Sequence, residues 1–371
     1  MPALLGPSRR LLPPDAARLY RRLGWLPFGP FDAGVAAAAA DVTPERAKRL
    51  LRVLVKAGLV EKTYDDQYLM HDQVRRHARA CAEAEEPKTE QAALIERVGT
   101  YYLVLCAFAD RALRAERLRA ADLSHLLRDA DDPFAAVGGP PPLEWLDAEH
   151  TSILAVLREA VQHELYTLAG RLSESLAVVF LHRRYPTTGV EVLELGIKAA
   201  EKGEPDKEAV AIGARLRSLL SRPLLDLGKN DCAAEQLKRA IVLAEATNRL
   251  ALRASVYEFV GRYMDVVAPS LAVGVYRYSL QLNEWAGETR GAALVTFYLG
   301  CALDAQGEHA EALTLLLRAH QELANRAEPD RRMAARVKAA ISVVRIHLGD
   351  LEQAVQDLQE AIGELAGMVD A

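Results

Sequence analysis

The chain has 371 residues, 50% hydrophobic and 26% charged, which is enough for two domains or for one domain and a helical array. Alanine, leucine and arginine are prominent and strand-forming residues are thinly spread, which argues against a β-rich fold. The net charge of −5 is unevenly divided: residues 1–82 carry 14 Lys+Arg against 8 Asp+Glu, leaving −11 for the rest. A basic head on an acidic body suits two modules with different partners, or modules that attract each other. The opening MPALLGPSRRLLPP is too short and too interrupted for a signal peptide, and no uncharged run approaches the ~20 apolar residues of a membrane span. The expectation is a cytoplasmic protein with no membrane partner. Cys81, Cys106, Cys232 and Cys301 form no CxxC pair, and each falls in a helical apolar pattern. They read as buried free thiols in a reducing compartment, with no metal bound.

Pro13, Pro14 and Asp15 open a helix that closes at Gly24, because proline suits the first helical turn and glycine the exit. Residues 25–31 (WLPFGPF) form a turn and residues 32–40 a short helix. Thr43 is the expected N-cap of a third helix, with Ala47, Leu50, Leu51, Leu54 and Val55 on its core face and Ala57 and Gly58 at its end. Residues 59–70 read as a hairpin with an acidic turn at Asp65 and Asp66, and residues 74–82 as a further helix. Three helices and a hairpin are the layout of a winged helix-turn-helix. Residues 83–88 (EAEEPK) read as a polar linker, 90–120 as one long amphipathic helix and 129–142 as a loop. The expected division is a winged-helix domain over 1–82, a linker helix and loop over 83–142, and helical repeats over 143–371.

The repeats announce themselves by spacing. Ala233, Leu237 and Ala240 stand at i, i+4, i+7, and so do Ala272, Tyr276 and Ser279; Ala312, Leu316 and Ala319; and Ala354, Leu358 and Ala361. Offsets of 39, 40 and 42 residues between these sets mean stacked helical hairpins, in which small residues admit the neighbouring helix and the larger one fills the gap. Gly261 and Gly300 are expected where helices cross. Gly228, Gly307 and Gly349 each precede the alanine by five residues, where a left-handed conformation ends a helix. Val267, Ala268 and Pro269 replace that turn in the second unit. A weaker unit with Val192, Gly196 and Ala199 brings the expected number of hairpins to five. The last helix is expected to stop at Ala371, with Glu352, Gln356, Gln359 and Glu364 on a polar outer side. The fold class is therefore all-α: a winged-helix head followed by a tetratricopeptide-like α-solenoid.

The run Leu299, Gly300, Leu303, Ala312, Leu316, Ala319 resembles tetratricopeptide repeats of the longer kind. The head resembles something more specific. Leu19, Leu23, Gly24, Phe31 and Asp32, then Leu50, Leu51, Leu54, Val55, Gly58, Leu59 and Val60, then Tyr68, Met70, His71, Asp72, Val74, Arg75, Ala78 and Arg79 are similar to the winged-helix segment that follows the nucleotide-binding domain of NB-ARC-type signalling ATPases. Tyr101, Tyr102 and residues 145–149 (WLDAE) continue the likeness. Together they resemble the C-terminal half of actinobacterial STAND regulators. In that family the Met-His-Asp triplet sets its histidine against the phosphate of bound ADP, so the resemblance gives His71 that place and Asp72 the bracing of its turn. The sequence holds no GxxxxGK[ST] loop, so the expectation is a relative lacking the nucleotide-binding domain, either naturally shortened or a piece of a larger chain, in which His71 and Asp72 are vestigial, His71 closes the hairpin against the next helix and no cofactor is bound.

Two surfaces remain as candidates. Arg46, Arg49, Arg52 and Lys56 lie on the third helix, the element that enters a DNA major groove in a winged helix. They read as a solvated face, as a dock for an acidic surface, or as a DNA contact. In the repeats, the first helices are expected to point Arg184, Arg215, Arg222, Glu258, Arg262, Asp265 and Asp304 inward, with Phe297 among them. Mixed charge with an aromatic ring suits a peptide segment or chain terminus. The remaining histidines are scattered, with no spacing that forces them together, and no catalytic motif is present. The expected function is a non-catalytic regulatory or scaffold protein binding a protein or peptide in its repeat groove. The alternatives are a DNA-binding transcriptional regulator, with the repeats sensing a ligand or forming a homodimer, and a small-molecule binding protein using the superhelix as a cup.

Overall fold

The computed structural model describes residues 11–63, 66–326 and 330–366. The end of the last helix at Ala371, the side chain of Glu364 and Asp65 of the hairpin turn lie outside the described residues. The fold is an all-α solenoid with a small hairpin in its head, and it divides into two compact units: residues 1–117 with 121–212, and residues 118–120 with 213–371.

In the first unit, α1 (Pro14–Leu23) starts on proline and buries Ala16, Leu19, Tyr20 and Leu23. Asp32 caps α2 (Ala33–Ala40) by accepting the Val35 amide at 2.7 Å. Thr43 caps α3 (Pro44–Lys56) as its sequence position requires, accepting the Arg46 amide at 3.4 Å, and Ala47, Leu50, Leu51 and Leu54 form its buried face. Strands β1 (Glu61–Lys62) and β2 (Tyr68–Leu69) pair antiparallel, with Glu61 opposite Leu69, and Phe31 bridges the other side of Tyr68. The order of three helices, hairpin and helix α4 (Asp72–Glu85) is that of a winged helix. Gly24 lets α1 approach α4, since a Cβ there would lie 2.4 Å from the Arg79 amide nitrogen.

Two expectations fail here for physical reasons. The EAEEPK segment is not a loose linker: α4 runs through Glu85, and Arg21 holds Glu85 and Glu86 at 3.3 and 2.5 Å. The long helix over 90–120 stops early, as α5 (Glu90–Leu113), and a short α6 (Ser124–Arg128) follows. Beyond the break, Arg117 pairs with buried Asp110 at 2.9 Å. Helix α5 is apolar and long enough to pass for a membrane span by composition alone. Its buried residues, from Leu94 through Ala109, instead join one core with α2, α7 (Pro142–Gln162) and α8 (Tyr166–His182). Helix α9 (Pro186–Lys202) pairs with α8 as the first, weaker hairpin.

The chain continues through α10 (Lys207–Asp226), whose residues from Gly213 onward belong to the second unit, then α11 (Asn230–Ala246), α12 (Leu250–Val267), α13 (Pro269–Ala286), α14 (Thr289–Ala305), α15 (His309–Ala324), α16 (Arg331–Leu348) and α17 (Leu351–Ala366). Five hairpins result among the described residues, as the period requires. Ala272, Tyr276 and Ser279, like Ala312, Leu316 and Ala319, are fully buried. A Cβ on Gly261 would lie 2.4 Å from the Tyr276 ring, and one on Gly300 would lie 2.7 Å from Leu316, so both glycines are crossing points. The turns at Gly228, Gly307 and Gly349 adopt φ of 70°, 86° and 81°. The polar outer side expected of α17 needs correction. Leu351, Val355 and Ile362 are 60%, 55% and 64% exposed beside Glu352, Gln356 and Gln359, because the helix keeps the apolar spacing that inner helices bury. Cys232 is likewise exposed rather than buried, lying one residue off the face defined by Ala233.

Candidate functional site

The consecutive first helices α10, α12, α14 and α16 place a chain of arginines and rings side by side. Arg215 and Arg262 flank the Phe259 ring, with guanidinium carbons 5.9 and 5.2 Å from its centroid. Arg262 also stands 5.1 Å from the Tyr298 centroid, and Arg336 stands 5.9 Å from that of Phe297. Tyr298 stacks on Tyr276, whose hydroxyl donates to Asp265 at 2.5 Å. Arg262 has a partner in Glu258 at 3.7 Å, one helical turn away, and Arg215 donates to Ser255 at 2.7 Å.

Arg222 differs from these. It is half-buried and makes no hydrogen bond or ion pair among the described residues. Its guanidinium is pushed below its ordinary pKa, first by burial and then by the like charge of Arg262, with Arg336 adding to it.

The expected inward set therefore divides. Arg215, Arg222, Glu258, Arg262, Asp265 and Phe297 line this cluster within the second unit. Asp304 belongs to the same unit, at the end of α14, where it meets two histidines. Arg184 lies in the first unit on the exposed turn between α8 and α9. Phe259, Tyr298 and Arg336 are additions that spacing did not single out. The 40-residue step from Arg222 to Arg262 was the signal that could have located the wall, since the repeat period places both on neighbouring first helices.

On α3, Arg46 pairs with Asp15, so it is engaged within the head. Arg49, Arg52 and Lys56 are exposed and make no ion pair among the described residues. His71 precedes α4 and its Nε2 lies 3.1 Å from Glu61 on the hairpin, with both side chains exposed. Asp72 occupies the first turn of α4, and its carboxylate makes no hydrogen bond among the described residues.

The motif residues shared between Tyr101, Tyr102 and the WLDAE segment form a network in the first unit. The Tyr101 hydroxyl donates to Asp32 at 2.8 Å and that of Tyr102 to Glu149 at 3.0 Å. Trp145 packs near Tyr102 and against Phe134. Burial raises the Glu149 pKa, partly offset by the Tyr102 hydrogen bond, and burial raises both tyrosines. These groups fasten α2, α5 and α7 together.

The reading of the histidines as scattered also needs correction. His309 Nδ1 and His347 Nδ1 lie 2.7 and 2.9 Å from the same Asp304 oxygen, with ring centroids 4.9 Å apart. The glycine turn at Gly307 folds α15 back onto α14, and α16 delivers His347 from 38 positions later in the chain.

No protein-family model matches the chain. Over 240 residues it is 36% identical to the regulatory protein AfsR of Streptomyces griseus, a match covering 62% of this chain and 23% of that protein. The AfsR of Streptomyces coelicolor is 29% identical over 242 residues, covering 63% and 23%. The match thus spans about a quarter of the length of these curated relatives. Among solved structures, the Signal Transduction ATPase with Numerous Domains from Pyrococcus horikoshii, which has a tetratricopeptide repeat sensor, aligns over 96% of this chain and 51% of its own, at 16% identity and a TM-score of 0.46. The chain is similar in sequence to AfsR-type regulators.

Proposed function

We propose that the chain is a non-catalytic, cytoplasmic regulatory protein that binds an acidic segment or the C-terminal carboxylate of a protein partner on the arginine–aromatic wall of its second unit. The observation that carries this reading is Arg222, half-buried beside Arg262 and with no hydrogen bond or ion pair among the described residues, Asp226 acting on it only through its charge. A carboxylate offered there gains charge-assisted hydrogen bonds from a guanidinium that has already lost much of its water. Phe259, Tyr298 and Phe297 supply apolar area beside it, the combination that peptide-binding grooves use. The likeness to AfsR supports the regulatory part of the reading. In this account the head (1–82) and the connecting segment (83–142) present the repeats (143–371), and His71 with Asp72 serves the hairpin rather than a nucleotide.

The test is fluorescence anisotropy with labelled peptides ending in acidic residues, each with a free or an amidated C-terminus. Binding should fail for Arg222→Ala and Arg262→Ala and persist for Arg49→Ala and Arg52→Ala. Equal affinity across all four variants would remove the proposal.

A second reading retains support from the unpaired Arg49, Arg52 and Lys56, which leave α3 able to meet DNA phosphates or guanine edges. It predicts duplex binding that falls steeply with salt and is lost in Arg49→Ala and Arg52→Ala.

A further inference from the structure

We propose that Asp304, His309 and His347 form a binding site for a divalent transition-metal ion of the zinc class. Their donor atoms lie within 4.8 Å of one another, and both imidazole Nδ1 atoms already converge on Asp304 Oδ1. Two imidazoles and one carboxylate are a donor set that suits zinc and its neighbours and discriminates against magnesium and calcium. Three protein ligands leave the fourth tetrahedral position for water or an incoming carboxylate. An ion with bonds of about 2.0–2.1 Å separates its ligands by roughly 3.3 Å, so the two short contacts open by about half an ångström as the ion replaces the shared protons.

The turn itself does not call for these residues. Gly228, Gly307 and Gly349 make the same left-handed turn. The positions three before and two after are Leu225 and Asn230 at the first, Asp304 and His309 at the second, and Ile346 and Leu351 at the third. The fold builds the turn with apolar or amide residues, so the aspartate and histidine are additional to it. Asp304 and His347 are also the penultimate residues of α14 and α16, where the negative ends of two helix dipoles favour a cation. Asp304 and His309 are half-buried, and His347 is exposed enough to admit an ion from solvent.

The experiment uses the full chain, dialysed against a chelator and titrated with zinc alone by calorimetry. A parallel titration with cobalt follows the visible bands of four-coordinate Co²⁺. The expected result is one zinc per chain and a higher Tm with the metal. His347→Ala, and independently Asp304→Asn, should weaken zinc binding by more than roughly tenfold and abolish the cobalt bands. His125→Ala, on exposed α6, should leave both unchanged. Zinc binding that is absent, or that survives both His347→Ala and Asp304→Asn in folded protein, overturns the proposal. So does a variant that lowers Tm equally with and without metal, because the cluster is then only a set of hydrogen bonds between turns.

Discussion

One arginine in each unit, Arg117 and Arg222, shows two opposite uses of a buried charge. In the first, Arg117 is buried against Asp110 at 2.9 Å and donates to the Glu174 carbonyl at 3.1 Å, so its charge is consumed in holding the chain where α5 breaks. In the second, Arg222 is half-buried with no hydrogen bond or ion pair among the described residues, and Arg262 and Arg336 lean on aromatic rings. The first arrangement pairs the charge within the fold. The second carries a desolvation cost that the charge of Asp226 offsets only in part, and the proposed reading gives the remainder to an incoming anion.

Substitution should separate the two. Asp110→Ala leaves a buried guanidinium without its carboxylate and should cost about 3–5 kcal/mol, read from urea unfolding. Arg222→Ala should leave the unfolding free energy within about 0.5 kcal/mol of the parent while removing about 1.5–3 kcal/mol of acidic-peptide affinity. If instead Arg222→Ala destabilised the fold as much as Asp110→Ala, the contrast would collapse. Gly261→Ala sharpens it from another side. Its Cβ would meet the Tyr276 ring, so the α12–α13 crossing should lose about 1–3 kcal/mol and the wall's Tyr276–Asp265 bond should shift with it.

The smallest effect concerns pH. Glu149 is raised above the usual carboxylate range by burial, so the folded state holds its proton more tightly than the unfolded chain. That contribution is fully present below the ordinary value and is lost as pH rises through the raised one. Glu149→Gln keeps an acceptor for Tyr102 and should gain on the parent across that window, with no gain at lower pH. Unfolding curves at several pH values check this, and a pH-independent difference would contradict it.

The period carried most of the architecture. Small residues at i and i+7 around a larger one mark the packing face, and Gly307 and Gly349 mark its turns. Less legible were features decided by side chains reaching across the fold. Nothing local in EAEEPK says that Arg21 will hold Glu85 and Glu86, and nothing near residue 114 says that Arg117 will fold back to Asp110. The arginine–aromatic wall was partly legible, because Arg222 and Arg262 stand one repeat period apart. Arg336 and Tyr298 emerged only once the crossing angles of successive helices were in view. The meeting of His309 with His347 depends on superimposing two repeats, which spacing within either one cannot reveal.

Hydrogen–deuterium exchange of the full chain, with and without a saturating acidic peptide, tests most directly whether the second unit's inner face is where a partner sits. Slowed exchange confined to α10, α12, α14 and α16, and absent in Arg222→Ala, is the predicted result. Protection confined to α3, with the repeats unchanged, would contradict the account and move the functional surface to the head.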